Sequence, residues 1–220
     1  MIRAEHLVKK YPGGHEALVG VSFHIERGEM SFVTGHSGAG KSTLLRLIAG
    51  IEPPTRGRLS VDGHNLARLT RRQRTLLRRR MGLVFQDPQL LYDRNVFDNV
   101  ALPLQIANRR PREIQGRVRA VLEKVGLGGK EQLNPRVLSG GEQQRVGIAR
   151  AVVSKPDLIL ADEPTGNLDP DLAREIMDLF RAFNDVGVTV LIATHDIYLI
   201  EALPYRRLIL DHGRLREGRS

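Results

Sequence analysis

The stretch Gly35-His36-Ser37-Gly38-Ala39-Gly40-Lys41-Ser42-Thr43 constrains this chain more than any other part of it. It follows the strand-like apolar run Met30–Thr34 and opens a helical pattern, Lys41–Ala49, with Leu44, Leu45, Leu47 and Ile48 on its inner side. The spacing is G-x-x-x-x-G-K-[ST]. Glycines at these positions let the backbone curl until its N–H groups converge on phosphate oxygens, at the positive end of the following helix. Lys41 offers a cation to the β- and γ-phosphates, and the Ser42 hydroxyl is a hard oxygen ligand for Mg2+. A chance glycine-rich turn would need neither the strand before it nor the helix after it.

Elsewhere, short apolar runs alternate with helical patterns, which predicts an α/β fold on a mostly parallel sheet. Met81–Phe85, Leu158–Ala161 and Val188–Ala193 read as further buried strands. Asp62-Gly63 and His212-Gly213 are turn signals, predicting antiparallel hairpins in the N-terminal part and at the C-terminal end. The stretch 96–153 lacks strand signals. There Asn95 caps a helix over Val96–Leu102, Pro111 opens one over Arg112–Val125, and Gly141–Ser154 forms a third. The expectation is a single domain over 1–220 with a helical subdomain at about 96–153, since 220 residues support one compact domain and not two full ones.

Leu158-Ile159-Leu160-Ala161-Asp162-Glu163 ends a buried strand in two adjacent acids. Desolvating an unpaired carboxylate costs several kcal/mol, so stability alone does not place acids there. A magnesium nucleotide would supply the pairing, with Asp162 in the metal shell and Glu163 polarising a water for in-line attack on the γ-phosphate. Helix capping by either acid is the structural alternative.

Leu138-Ser139-Gly140-Gly141-Glu142-Gln143 contains an S-x-x-E capping box. Capping explains neither the paired glycines nor the glutamines that follow. Bare N–H groups at Gly140 and Gly141 would make a second phosphate site, far along the chain from the first. One chain cannot easily close both around a single γ-phosphate, whereas two chains head to tail can.

Bulk properties exclude several classes. No apolar run approaches the roughly 18 residues a membrane span needs; the longest lies near Val186–Ala193. Met1-Ile2-Arg3-Ala4-Glu5 has no signal-peptide pattern, which predicts residence on the cytoplasmic side. The absence of cysteine rules out disulfides and thiolate metal sites. The formal charge is +9, with Arg71, Arg72, Arg74, Arg78, Arg79 and Arg80 crowded within Arg68–Arg80 and more arginines from Arg206 to Arg219. Such clusters are either a solvated basic face or a surface for nucleic acid or an anionic membrane leaflet. No aromatic residue interleaves with the Arg-rich stretch, so base stacking on it is not expected.

Taken together, these motifs resemble the ABC ATPase family, whose signature Leu138–Gln143 reproduces, over nearly the whole chain. The resemblance implies a P-loop ATPase core with an N-terminal antiparallel β subdomain and a helical subdomain. It also implies a head-to-tail homodimer sandwiching two ATP molecules, each between the phosphate loop of one chain and Ser139, Gly140, Gly141 and Glu142 of the other. By the same resemblance Tyr11 stacks on adenine and Gln86 senses Mg2+ and water and abuts a membrane partner. Asp169, in Asn167-Leu168-Asp169, communicates across the dimer, and His195 contacts the γ-phosphate. Soluble nucleic-acid-handling members of the family resemble fused or long-inserted cassettes, for which this chain leaves no room, and no nucleic-acid partner is expected.

A narrower resemblance is carried by Met1-Ile2-Arg3, the phosphate loop with His36, Asp93–Val100 and Arg145–Val153. It is to the cell-division members of the family, which implies an integral membrane partner at the cytoplasmic face of the bacterial inner membrane. Asn95 and Phe97 depart from the threonine and tyrosine expected there. Ala161–Asp169 is shared with lipoprotein-release and macrolide-export ATPases, which form the alternative reading. Leu90, Leu91 and Tyr92, following Gln86, read as exposed apolar residues suited to receive a helix of the membrane partner.

Overall fold

A computed structural model describes residues 1–196, 200–201 and 203–216. Arg219, the last of the C-terminal arginines, lies outside the described residues. Two sheets form the scaffold. The first is antiparallel, in the order β2 (Glu16–Ile25), β1 (Ile2–Lys10), β4 (Arg56–Val61), β5 (His64–Asn65). The second runs β10 (Arg214–Arg216), β9 (Arg206–Asp211), β3 (Met30–Thr34), β8 (Thr189–Thr194), β7 (Leu158–Asp162), β6 (Met81–Phe85). All its pairings are parallel except β9 with β10. The chain is thus an ABC ATPase-type α/β fold, parallel-rich at its centre and antiparallel at its N-terminal part.

The central strands read as continuous apolar runs because they are covered on both faces. Successive residues of β7 alternate between the two sides: Ile159 and Ala161 join one core, Leu158 and Leu160 the other. In β8, Val190 and Ile192 face the first core while Leu191 and Ala193 face the second. The second core is closed by α1 (Lys41–Ile48), whose Leu44, Leu45, Leu47 and Ile48 are all buried. The first is closed by α3 (Val96–Ile106), α4 (Pro111–Lys124), α5 (Gly140–Val152) and α6 (Pro170–Asn184).

Both expected hairpins form, with Asp62 and His212 in the left-handed region ahead of their glycines. Several boundaries differ from expectation. Helix α3 continues past Leu102 through Pro103 to Ile106, because Leu104 is drawn into the core. Helix α4 takes Pro111 as its first residue rather than beginning after it. The basic stretch contains α2 (Arg71–Arg78), started by a capping box between Thr70 and Gln73 and anchored through Leu77. Its Arg71, Arg72 and Arg78 are exposed, while Arg80 beyond it pairs with Asp62 at 2.6 Å and Asp157 at 2.8 Å. Leu90 is not exposed: at 5% accessibility it belongs to the first core. Leu91 is half-buried, and only Tyr92 of the three stands in solvent. A segment joining a strand to a helix needs an apolar anchor, and Leu90 serves as it.

Asn99, wholly buried in α3, fixes that segment from the inside. It accepts the Leu91 N–H at 2.8 Å and donates to the carbonyls of Leu91 and Asn95, each at 2.9 Å. Asn95 caps α3 by accepting the Asp98 N–H at 2.8 Å, as a threonine there would also do. Replacing Asn99 by alanine leaves the Leu91 amide without its side-chain partner, at a cost of about 1–3 kcal/mol. Asn99→Ala is therefore expected to melt lower by roughly 2–4 °C for each kcal/mol lost. A change within about 0.5 kcal/mol in chemical denaturation, the range of an ordinary surface substitution, would contradict this anchoring role.

Candidate functional site

The register of the parallel sheet creates the site. Thr34 pairs with Thr194, Asp162 with Ala193, and Phe85 with Asp162, so β3, β8, β7 and β6 end at one edge. The residues that follow those ends are Gly35, His195, Glu163 and Gln86. Carboxyl ends of parallel strands are where open α/β sheets bind ligands. Here a cleft of about 480 Å³ is lined by residues that include Ser37, Gly38, Gly40, Lys41, Ser42, Thr43, Gln86, Glu163 and His195, with Tyr11, His15 and Ala17 on a further side.

The phosphate loop depends on glycine at two positions. A Cβ on Gly35 would lie 2.2 Å from the Leu210 carbonyl oxygen, and one on Gly40 would lie 2.4 Å from that of Ala17; both residues have positive φ. Only glycine lets the loop pass this close to its neighbours. Ala39 turns inward and is fully buried. Lys41 opens α1 with its stem buried and its Nζ donating to the Gly35 carbonyl at 2.8 Å and the His36 carbonyl at 3.3 Å. The same ammonium lies 3.3 Å from Glu163 Oε1.

Ser42, one residue further, donates its hydroxyl to Asp162 Oδ1 at 3.0 Å. Two hard oxygens side by side, next to a phosphate loop, are the donor set Mg2+ takes when phosphate and water complete its octahedron. The residues therefore fit the ion. Burial holds the Asp162 carboxyl above the usual carboxylate range, and the neighbouring Glu163 charge adds to this; the Ser42 hydrogen bond pulls the other way.

Glu163 itself has φ 48°, a left-handed conformation that costs a bulky residue about 1–3 kcal/mol. Its N–H bonds the Ala193 carbonyl at 2.8 Å, which fixes the bend. The bent carboxylate bridges Lys41 on one oxygen and His195 on the other, where Nδ1 lies at 2.9 Å and the His195 N–H at 3.2 Å. Gln86 reaches Asn167 Oδ1 through Nε2 at 3.2 Å. Tyr11 sits beside Thr43, its hydroxyl 3.5 Å from Thr43 Oγ1, with Lys9 Nζ 4.9 Å from its ring centroid.

Ser139, Gly140, Gly141 and Glu142 are not among the residues lining this cleft, and neither is Asp169. Ser139 and Glu142 form the full capping box of α5, at 3.3 and 2.9 Å. Glu142 also pairs with Lys130, whose hydrogen bond is the main cause of its carboxyl lying below the usual range. Asp169 caps α6, accepting the N–H groups of Asp171 and Leu172. The two helix starts adjoin: a Cβ on Gly141 would lie 2.9 Å from Leu172 Cδ1, whereas Gly140 faces open space.

A strained acid beside a phosphate-loop lysine, with a glycine pair at a separate helix start, is a pattern that comparison resolves. Residues 18–166 match the family model described as ABC transporter. The chain belongs to this family, as its ATP-binding, ATP-hydrolysing cassette. The cassette is 59% identical over 218 residues to the cell division ATP-binding protein FtsE of Escherichia coli K12, covering 99% of this chain and 98% of that protein. It is 44% identical to FtsE of Streptococcus pneumoniae D39, over 100% and 96% of the two chains. Among solved structures it resembles a dimeric, post-hydrolysis ATP-binding cassette, MJ0796, bound to ADP and Pi, with TM-score 0.91, 34% identity and coverage of 100% and 98%.

Sequence reasoning missed residues that tie the cassette together. His15 and Ala17 reach the cleft only because the β1–β2 connection folds back over it. Gln144, nearly inaccessible, donates to the Phe85 carbonyl at 3.0 Å, and Arg150 donates to the carbonyls of Gln89, at 3.0 Å, and Pro88. Both come from α5 and bolt it to the start of the Gln86 segment, the stretch 86–95 that joins β6 to α3. The glutamines after Gly141 were a visible signal; their partners were not.

Asp162 carries a stability cost that can be measured. Its raised value means the folded chain keeps a proton the unfolded chain has released, so stability falls as pH rises through the unfolded value, about 3.9, and on to the folded one. The cost is complete once pH exceeds the folded value. Asp162→Asn should thus melt higher than wild type near neutral pH in magnesium- and nucleotide-free buffer, by about 2–4 °C per kcal/mol recovered, with the gap closing in acid. A lower melting temperature at pH 7 would contradict the burial argument.

Proposed function

We propose that the cassette is the ATP-hydrolysing subunit of a bacterial cell-division complex of the FtsE type. In this reading ATP closes a head-to-tail homodimer, and the closure drives an integral membrane partner resembling FtsX that regulates cell-wall hydrolysis at the septum. The observation that carries it is the division of the site. One cleft gathers the phosphate loop with Glu163, His195 and Gln86, and its Ser42 holds Asp162 behind the wall, while Ser139–Glu142 are not among its lining residues. Identity to FtsE proteins over nearly their whole length favours the cell-division reading over a lipoprotein-release or macrolide-export ATPase.

Each residue then has a task that follows from its position. Phosphate oxygens compete with Glu163 and the Gly35 carbonyl for Lys41, and drawing the ammonium toward the nucleotide frees the Glu163 carboxylate to accept a proton from the attacking water. His195, already hydrogen-bonded to Glu163, holds that carboxylate and reaches the γ-phosphate. Ser42, Asp162 and Gln86 would hold Mg2+, which would supply positive charge against the developing phosphate charge. Tyr11 stacks on adenine. Ser139, Gly140 and Gly141 offer hydroxyl and N–H groups to the γ-phosphate on the facing chain, with Glu142 securing their helix start and Asp169 near the seam. Residues 96–153 act as one helical subdomain within the single domain 1–220.

The cassette sits at the cytoplasmic face of the inner membrane, held there by its partner. Among the described residues no helix is long and apolar enough to cross a membrane. Tyr92 is the exposed apolar group of the Gln86 segment, and its hydroxyl donates to Gln143 Oε1 on α5 at 3.2 Å. A partner helix seated on Tyr92 thereby touches both the Gln86 segment and the glycine-pair helix. Tyr92→Glu should leave ATP binding in solution unchanged and release the protein from membranes; persistent co-purification with an FtsX-like partner would move the docking site elsewhere.

Glu163→Gln and Gly140→Asp separate the two halves of the site. Both should bind ATP, because neither removes a phosphate-loop group. Glu163→Gln should hydrolyse about 10²–10⁴-fold more slowly and accumulate as an ATP-bound dimer in light scattering. Gly140→Asp, whose added Cβ has nothing of its own chain within 4 Å, should lose hydrolysis by at least about 10²-fold and remain monomeric. Normal hydrolysis by Gly140→Asp would contradict the two-chain site.

A further inference from the structure

Among the described residues, His36, Asp211 and His212 bring three metal-ligating side chains together, with one ligand atom of each within 4.8 Å of the others. None of the three is among the residues lining the phosphate cleft. His36 comes from the phosphate loop; Asp211 ends β9, and His212 begins its turn into β10. The chain positions them before any ion arrives. The Gly213 N–H donates to the Ala39 carbonyl at 3.2 Å, the Gly213 carbonyl accepts from Val19 at 2.7 Å, and Gly35 lies against the Leu210 carbonyl more closely than any side chain would permit. Backbone contacts thus hold the loop and β2 against the turn.

The side chains are oriented as ligands. His36 Nδ1 lies 2.7 Å from the Ser37 carbonyl, which can only accept, so that nitrogen carries the proton and the lone pair is left on Nε2. Nε2 faces Asp211 Oδ1 at 3.6 Å, and His212 Nδ1 donates to the same oxygen at 2.9 Å. A cation entering between them displaces that proton, as loading a histidine site requires. The other carboxylate oxygen is held by Arg216. Tetrahedral bonds of about 2.0–2.1 Å place neighbouring ligand atoms about 3.3 Å apart, so the two separations to Asp211 need shifts of a few tenths of an ångström. The two rings, whose ligand atoms lie within 4.8 Å, close by rotating on an exposed surface. Two imidazoles and one carboxylate select a borderline cation such as Zn2+ or Co2+ over the hard ions Mg2+ and Ca2+. The two rings already face each other at 4.8 Å between centroids.

We propose that His36, Asp211 and His212 form a binding site for a divalent cation of the zinc class, with water completing the tetrahedron, which staples the phosphate loop to the β9–β10 turn. The site is separate from the Ser42–Asp162 magnesium position and does not depend on the cell-division reading. Because the His36 carbonyl accepts from Lys41 Nζ at 3.3 Å, the staple acts on the loop that holds the catalytic lysine.

Titrating the chelator-treated full chain with Co2+ in excess Mg2+ tests this. Wild type should bind one Co2+ per chain with the intense visible absorption of a four-coordinate site, be displaced by Zn2+ and not by Mg2+, and melt higher with Zn2+ present. His212→Asn keeps a residue that tolerates the left-handed turn, where φ is 46°, and should weaken Co2+ binding by at least about tenfold. Asp211→Asn should do the same, and melting temperatures without metal confirm that both variants fold. Unchanged Co2+ affinity in the two variants, displacement by Mg2+, or no uptake by wild type would overturn the proposal.

Discussion

Parallel pairing of β6, β7, β8 and β3 in register is the constraint from which the site follows. It forces four strand ends to one edge and so places a lysine, a glutamate, a histidine and a glutamine around one cleft, with Asp162 hydrogen-bonded to Ser42 of its lining. The strands are buried on both faces, so the edge cannot slip by a residue without turning each core side chain to the wrong layer. Polar groups concentrated at such an edge are costly. The raised Asp162 and the left-handed backbone of Glu163 are two visible forms of that cost, and both fall on residues suited to a magnesium nucleotide.

Helix α5 links this edge to the rest of the molecule. Its first turn presents Gly140 to solvent, its middle holds Phe85 through Gln144, and Arg150 near its end grips Pro88 and Gln89. Tyr92 bonds to Gln143 of the same helix. The segment joining β6 to α3 and the glycine-pair helix are therefore tied together by side-chain hydrogen bonds. Under the proposed function, a push on Tyr92 from a membrane partner and a pull on Gln86 from bound nucleotide would act on the same element.

The phosphate loop, the acid pair and the central strands were legible because each is a local pattern: glycines at fixed offsets, or an apolar run ending in charge. Strands β1 and β2 were not delimited in advance, since His6 at φ 47° and the register shifts around it break the alternation that marks a strand. Helix α6 escaped despite a clear start at Asp169-Pro170, because the motif there was read for its place in a dimer rather than as a cap. Leu90 was misplaced because an apolar triplet does not reveal which member turns inward. Asn99, Gln144 and Arg150 act through partners between 4 and 62 residues away, and such pairings exist only once the fold has formed.

Whether two chains share each site is tested most directly by mixing Lys41→Ala with Gly140→Asp, each inactive alone. A mixed dimer keeps one site with an intact phosphate loop facing an intact Ser139–Glu142 segment. If sites are shared, equal mixing should restore ATP hydrolysis to as much as about half of wild type, since each mixed dimer retains one of two sites. Activity that stays at the sum of the two separate variants, with exchange of subunits verified, would contradict the shared site.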